Sequence, residues 1–233
     1  MSKTLRIDVW SDIACPWCYV GKRRLEAALS QFEHRDAVEV VWRSFELDPA
    51  APKVQPGPAD YAGRLARKYG TTVAKADEMI RSMTATAARD GLSMRFDRAQ
   101  PGNTFDAHRL LHLAHARGLQ DAAKERFFRA YMTDGEAIGD AETLTRLAVD
   151  AGLDREEVVA VLAGDAWADA VRADEAEARE NNLRGVPFFV FDGRYAVSGA
   201  HPAESLAKVL AQAWSERPAD VDEGALCGPE GCA

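Results

Sequence analysis

Residues 5–18 read LRIDVWSDIACPWC, and in the first half apolar Leu5, Ile7 and Val9 alternate with polar Arg6 and Asp8. That beat of period two marks a strand. After the cysteines the beat lengthens, with Leu25, Ala28 and Leu29 at helical spacing, so strand gives way to helix at the C-x-x-C pair. Pro16 suits the first helical position, where its missing N–H would have had no partner and its φ is already set. Cys15 then stands at the amino end of the helix, where unpaired N–H groups and the positive end of the dipole favour a thiolate. Cys18, one turn further in, is placed to attack a mixed disulfide formed at Cys15. Such a pair closes into a small disulfide ring and reopens. Two other readings of the spacing stay open: half of a zinc site completed by Cys227 and Cys232, and two buried structural thiols.

The chain around this motif has 233 residues, 47% hydrophobic and 28% charged, enough for a substantial core without disulfides. A formal charge of −8 and the lack of a basic run with interleaved aromatics argue against a nucleic-acid surface. No apolar run of about 18 residues could span a bilayer. Asp8, Ser11 and Asp12 interrupt the first apolar stretch, unlike the core of a secretory signal. A cytoplasmic protein is the expectation, and in that compartment a cysteine pair is more often catalytic or metal-binding than structural.

Further along, Val38 to Phe45 reads as a second strand, which completes a βαβ unit with the cysteines at the carboxyl end of its first strand. The proline-rich segment from Ala50 to Pro58 reads as a linker. From Ala59 to about Asn182 the periodicity is helical: Phe127, Phe128, Tyr131 and Met132 share one face, and so do Leu144, Leu147, Ala148 and Ala151. Asp154 with Glu157 predicts a capped helix start after the stop at Gly152. Strand character returns in Phe188–Phe191 and Tyr195–Ser198 around Asp192-Gly193, a hairpin signal, and a last amphipathic helix runs from about Pro202 to Trp214. The order predicts an α/β sheet domain from residues 1–50 and 184–216, an inserted helical domain over 51–183, and a mobile tail over 217–233. His108, His112 and His115 share a helix face, but no local carboxylate or cysteine completes a metal site there, and no metal is predicted. Lys22 reads as part of a solvated face.

Trp10-Ser11-Asp12 before CPWC, Tyr19-Val20-Gly21-Lys22 after it, Asn103-Thr104-Phe105-Asp106-Ala107-His108-Arg109, and Gly185-Val186-Pro187-Phe188-Phe189 together resemble the DsbA-type thioredoxin-fold superfamily, nearest its FrnE-like dithiol-disulfide oxidoreductases or isomerases. The resemblance covers nearly the whole length. It implies a thioredoxin-like fold with a large α-helical insertion, Cys15 as attacking thiol, Cys18 as resolving thiol and Pro187 as a cis-proline opposite them. It also implies substrate contacts from Pro16, Trp17, Val186, Asn103 and His108, with His108 facing the cleft or serving only as a packing residue. Protein or small-molecule thiols and disulfides are the implied partners. No prosthetic group is implied, though glutathione could serve as co-substrate. Cys227 and Cys232, in a C-x-x-x-x-C tail, match a second cysteine pair of the FrnE-like branch that could relay disulfides to Cys15, or are tail thiols without catalytic duty. Two further activities stay open. One is a glutathione-dependent isomerase or transferase of the 2-hydroxychromene-2-carboxylate isomerase and kappa type, although Cys18 favours redox turnover. The other is a holdase whose cysteines only sense oxidation.

Overall fold

The structure is a computed structural model that describes residues 4–54 and 60–217. The tail cysteines Cys227 and Cys232 lie outside the described residues. Four strands form one mixed sheet in the order β2-β1-β3-β4, with β1 at Leu5–Ser11, β2 at Val38–Ser44, β3 at Phe188–Phe191 and β4 at Tyr195–Ser198. β1 and β2 run parallel in the register Leu5↔Val38 to Ser11↔Ser44, joined through helix α1 at Pro16–Ser30. β3 returns antiparallel to β1 with Ile7 opposite Phe191. The hairpin to β4 turns at Asp192 and Gly193, both at positive φ, and Arg194 N–H donates back to Phe191 O at 3.0 Å. Two consecutive left-handed residues match the twist of the flanking strands, as the Asp-Gly signal predicts.

Between the two halves of the sheet lie, among the described residues, seven helices: α2 Tyr61–Tyr69, α3 Val73–Arg89, α4 Phe105–Ala116, α5 Gln120–Arg129, α6 Ala141–Asp150, α7 Arg155–Ala163 and α8 Ala168–Glu180. A ninth, α9 at Ala203–Ser215, closes the described chain and packs beside α1. Capping follows local chemistry. Asp154 accepts from the amides of Glu156 and Glu157 to start α7, as its sequence predicts, and Asp140 caps α6 through Thr143 N–H at 2.8 Å. After α5 the chain widens into a π turn over Ala130–Asp134, which periodicity did not predict. The carbonyl of Met132 there accepts the amide of Arg95 at 2.7 Å, tying the turn to the segment after α3.

Two cores result, and α1 belongs to both. Leu25 and Ala28 join Leu5, Ile7, Val9, Phe189, Phe191, Leu206 and Leu210 between the sheet, α1 and α9. Cys18, Tyr19 and Val20, from the first turns of the same helix, are buried with Leu110, Phe127, Phe128, Leu144 and Leu147 in the core of the helical lobe. Burial of a large aliphatic or aromatic side chain contributes roughly 1.5–3 kcal/mol, so this shared helix fixes the lobe against the sheet. The exposed edge of β2 is covered as well. The Gln120 side chain accepts from Trp42 N–H and donates to Trp42 O, both at 2.9 Å, taking the place of a neighbouring strand. On the other side of the lobe, the chain at Lys53 runs so close to Gly139 that a Cβ there would overlap the Lys53 carbonyl.

Lys22 departs from its sequence reading. Its residue is 1% exposed, and its ammonium is held by Glu26 and, at 3.0 and 3.3 Å, by Asp121 and Glu125. Burial works against its charge, but Asp121 and Glu26 outweigh that and raise its pKa. Two of these carboxylates come from α5, about a hundred positions away in sequence, which is why a local pattern suggested solvent instead.

Candidate redox site at the start of the first helix

Cys15 is the N-cap of α1, with extended backbone at φ −95° and ψ 111°, and Pro16 takes the first helical turn. The turn that delivers it from β1 is fastened by Asp12. Its backbone carbonyl accepts from Cys15 N–H at 3.1 Å, while its carboxylate accepts from Ala14 N–H at 3.3 Å and from Leu47 N–H at 2.7 Å. Asp12 is 1% exposed, and its pKa is nonetheless lowered: burial opposes its charge, but His108 and the two amides outweigh that cost. His108 Nε2 stands 3.5 Å from Asp12 Oδ1, the outer limit of an ion-pair contact, and neither ring nitrogen finds hydrogen-bond geometry. The two amide bonds are the firmer part of the clamp.

Opposite the cysteines the Val186–Pro187 peptide bond is cis. Cys15 Sγ lies 3.6 Å from Val186 O, so the thiol donates to that carbonyl. Gly21 lets α1 come close to this loop, since a Cβ there would stand 3.0 Å from Pro187 Cγ and 3.2 Å from Phe189 Cζ.

The two sulfurs are electrostatically unlike. Cys15 has its pKa lowered, first by the Cys18 side chain, which hydrogen-bonds to its anion; burial and the charge of Asp12 oppose, while the amides of Cys18 and Trp17 assist. Sγ closes no capping hydrogen bond, so the helix start contributes less than the neighbouring thiol. Cys18 is fully buried and its pKa is raised well above the ordinary range, by burial first and then by Cys15. Cys15 is itself only 5% exposed, more recessed than a free-standing nucleophile at a helix tip.

The recess opens into a cavity of about 740 Å³ between sheet and lobe. Ala14, Cys15, Pro16, Trp17 and Val186 line one side, and Tyr61, Met79, Met83 and Phe96 line the other. Of the residues predicted to contact substrate, Pro16, Trp17 and Val186 therefore share a wall with Cys15, whereas Asn103 and His108 do not line it. Asn103 donates to Glu46 Oε1 at 3.1 Å and Pro49 O at 3.3 Å and accepts from Phe105 N–H, fixing the start of α4. His108 is 1% exposed beside Asp12 and does not reach the cavity lining. Of the other histidines, His112 meets Asp174 and Ser44 at 3.1 Å, and His115 is exposed.

Sequence reading missed Lys124. It is 0% exposed, its ammonium has no hydrogen-bond partner among the described residues, and it stands 5.0 Å from the ring centroid of Phe128 and 5.5 Å from that of Trp42. Burial lowers its pKa to about 8 against the attraction of Cys18, Asp12 and Cys15. A signal was available: Lys124 falls three and four positions before Phe127 and Phe128, on the face of α5 that those rings bury.

A profile of DSBA-like thioredoxin domains matches residues 6–211. A solved probable DsbA oxidoreductase from Streptomyces coelicolor is 51% identical, with 98% of each chain covered and a TM-score of 0.86. The uncharacterised protein YwbO of Bacillus subtilis is 28% identical over 89% of this chain and 96% of its own length. The cytosolic disulfide reductase DsbM of Pseudomonas aeruginosa, at 18% identity, 89% and 98% coverage and a TM-score of 0.60, shares the fold. The match over nearly the whole sheet and lobe, on a fold that carries a helix-start cysteine pair facing a cis-proline, means that the chain belongs to the DSBA-like thioredoxin domain family.

Proposed function

We propose that this protein is a thiol–disulfide oxidoreductase of the FrnE-like type, working through Cys15 and Cys18 on protein or small-molecule disulfides. One observation carries the reading: two adjacent buried sulfurs with opposite pKa shifts, of which Cys15 alone lines the cavity. In the reducing direction the Cys15 thiolate attacks a substrate sulfur. A Cys15–substrate disulfide forms, the substrate S–S bond breaks, and the leaving thiolate takes a proton from water. Cys18 then loses its proton beside the Lys124 ammonium and attacks Cys15 Sγ, closing the Cys15–Cys18 disulfide and releasing the second substrate thiol. Two electrons pass from the dithiol to the substrate, and the oxidising direction is the reverse. Val186 N–H makes no hydrogen bond within the described residues, which leaves it available to pair with the backbone of an extended substrate. Pro16, Trp17 and Val186 shape the contact surface, Pro187 holds Val186 opposite Cys15, and no bound cofactor enters either step.

We place this exchange in the cytoplasm, where cysteine pairs serve catalysis more than cross-linking. No helix among the described residues is long and apolar enough to cross a membrane. Cys227 and Cys232 act in the same scheme as a relay pair that exchanges with Cys15. The test is insulin reduction with dithiothreitol as terminal reductant, and oxidation of reduced ribonuclease with oxidised glutathione as terminal oxidant. Wild type, Cys15→Ser and a chain truncated before Cys227 are compared. Loss of both activities in Cys15→Ser is expected, with a slower rate in the truncation. Full activity without Cys15 would remove the reading, and full activity of the truncation would remove the relay.

A further inference from the structure

The cavity beside Cys15 carries more chemistry than a disulfide needs. Its mouth presents Trp17, Tyr69 and Met79, which are 44%, 58% and 37% exposed, so three large apolar side chains face water around a recessed thiol. Large apolar side chains exposed on one cavity beside a reactive group suit it to binding. Among these side chains stand the cations Lys68, Lys75 and Arg184 against a single carboxylate, Glu78, on a protein whose formal charge is −8. Glu78 is engaged by Lys75 at 3.0 Å, whereas Lys68 and Arg184 are exposed and have no side-chain hydrogen-bond or ion-pair partner among the described residues. Arg184 stands two positions before Val186, the residue whose carbonyl meets Cys15 Sγ, and lines the same cavity that a substrate sulfur must enter.

We infer that this cavity selects polypeptide substrates in which the reactive cysteine is flanked by a large apolar side chain and an acidic one. The inference rests on Cys15 being the attacking thiol and deepens that reading by naming the substrate class. A polypeptide fits better than a small thiol for two reasons. About 740 Å³ exceeds what one cysteine side chain fills, and the apolar rim lies outside the reach of a molecule that bears only carboxylates and amides. The free cations supply the charge complement. Exposed charge pairs are weak and screened by salt, so the two cations together are expected to give about tenfold discrimination between an acidic and a basic neighbour.

The experiment uses the reduced full-length protein and heptapeptides whose single cysteine is activated as a 2-pyridyl disulfide. Attack by Cys15 on the peptide sulfur forms the mixed disulfide and expels 2-thiopyridone, which is read by absorbance; Cys18 then releases the peptide thiol. A peptide with Leu and Glu beside its cysteine should react about tenfold faster than the same peptide with Lys in place of Glu, and the gap should close at about 1 M salt, where the screening length falls to about 3 Å. Replacing Leu by Ser should also slow it several-fold. Arg184→Glu combined with Lys68→Glu should invert the Glu-over-Lys preference. These positions are exposed, so the double variant is expected to fold. Release that requires Cys15 but is indifferent to the flanking charge would overturn the inference and leave the oxidoreductase reading standing. A glutathione 2-pyridyl disulfide reacting as fast as the Leu–Glu peptide would overturn it too, in favour of a small anionic thiol. Release undiminished in Cys15→Ser would instead overturn the reading on which the inference rests.

Discussion

The two sides of the cysteine pair are built from opposite materials. In front, Trp17, Tyr61, Met79, Phe96 and Val186 form an open and largely apolar wall. Behind, Asp12, His108 and Lys124 are each at most 1% exposed, and the Lys124 and His108 nitrogens have no hydrogen-bond partner. Burying the Lys124 ammonium without a hydrogen-bond partner costs free energy, so its retention next to two sulfurs points to work on the sulfurs, and Asp12 acts on Cys15 through its charge. The difference teaches a division of labour. The front governs which molecule reaches Cys15, and the back governs how easily each thiol gives up its proton.

Breaking the back should have the largest effect. In Lys124→Met the cation nearest the buried Cys18 is gone, so resolution should slow by about tenfold or more, with the Cys15–substrate disulfide accumulating on a quenched gel. The same variant should be more stable. Lys124 has its folded pKa lowered to about 8, so between that pH and its unfolded value near 10.5 the unfolded chain holds a proton that the folded chain lacks. Wild-type stability therefore rises with pH across that window, and below it the penalty is fully present. Urea titration should show Lys124→Met more stable by about 1–3 kcal/mol at pH 7, with the advantage fading from about pH 8 upward and gone above pH ~10.5. Slower resolution without a gain in stability would separate Lys124 from the burial argument.

Asp12→Asn should act next in size and on the other sulfur. The Asp12 carboxylate raises the Cys15 pKa, so its removal should lower that pKa further, read as thiolate absorbance near 240 nm across a pH titration. An unchanged titration would mean that Asp12 serves only to fasten Ala14 and Leu47. On the front, Trp17→Ala should leave both thiol titrations in place and weaken polypeptide substrates by about 1–2 kcal/mol, seen as a higher KM at near-constant kcat. The smallest effect on thiol exchange belongs to neither side. Gly139→Ala, far from the sulfurs, should cost about 1–3 kcal/mol of stability by displacing the Lys53 backbone, with exchange rates per folded molecule unaltered.

The front was more legible in the sequence than the back, for a physical reason. Strand beat, Pro16 after Cys15 and the Asp192-Gly193 turn are local signals, and they placed the sheet and the first helix from neighbours a few residues apart, whereas Pro187 and the cavity wall came with the family resemblance. The back is assembled across distance: Asp12 follows β1, His108 lies on α4 and Lys124 on α5, and only packing against Trp42 and Phe128 brings the amine inside. The same cause turned Lys22 from a solvated residue into a caged one, set Asn103 to fixing the start of α4, and left His108 packed against Asp12, the second of the two roles its sequence reading held open. The π turn at Ala130–Asp134 left no trace in periodicity because Tyr131 and Met132 remain buried through it.

The central claim is that one environment separates two adjacent thiols, favouring the anion at Cys15 and the thiol at Cys18. Site-resolved alkylation of the reduced protein, with iodoacetamide pulses across pH and mass spectrometry of each cysteine peptide, tests it most directly. Cys15 should label with a midpoint below that of a free cysteine, while Cys18 stays unlabelled well above it; one shared midpoint for both would contradict the account.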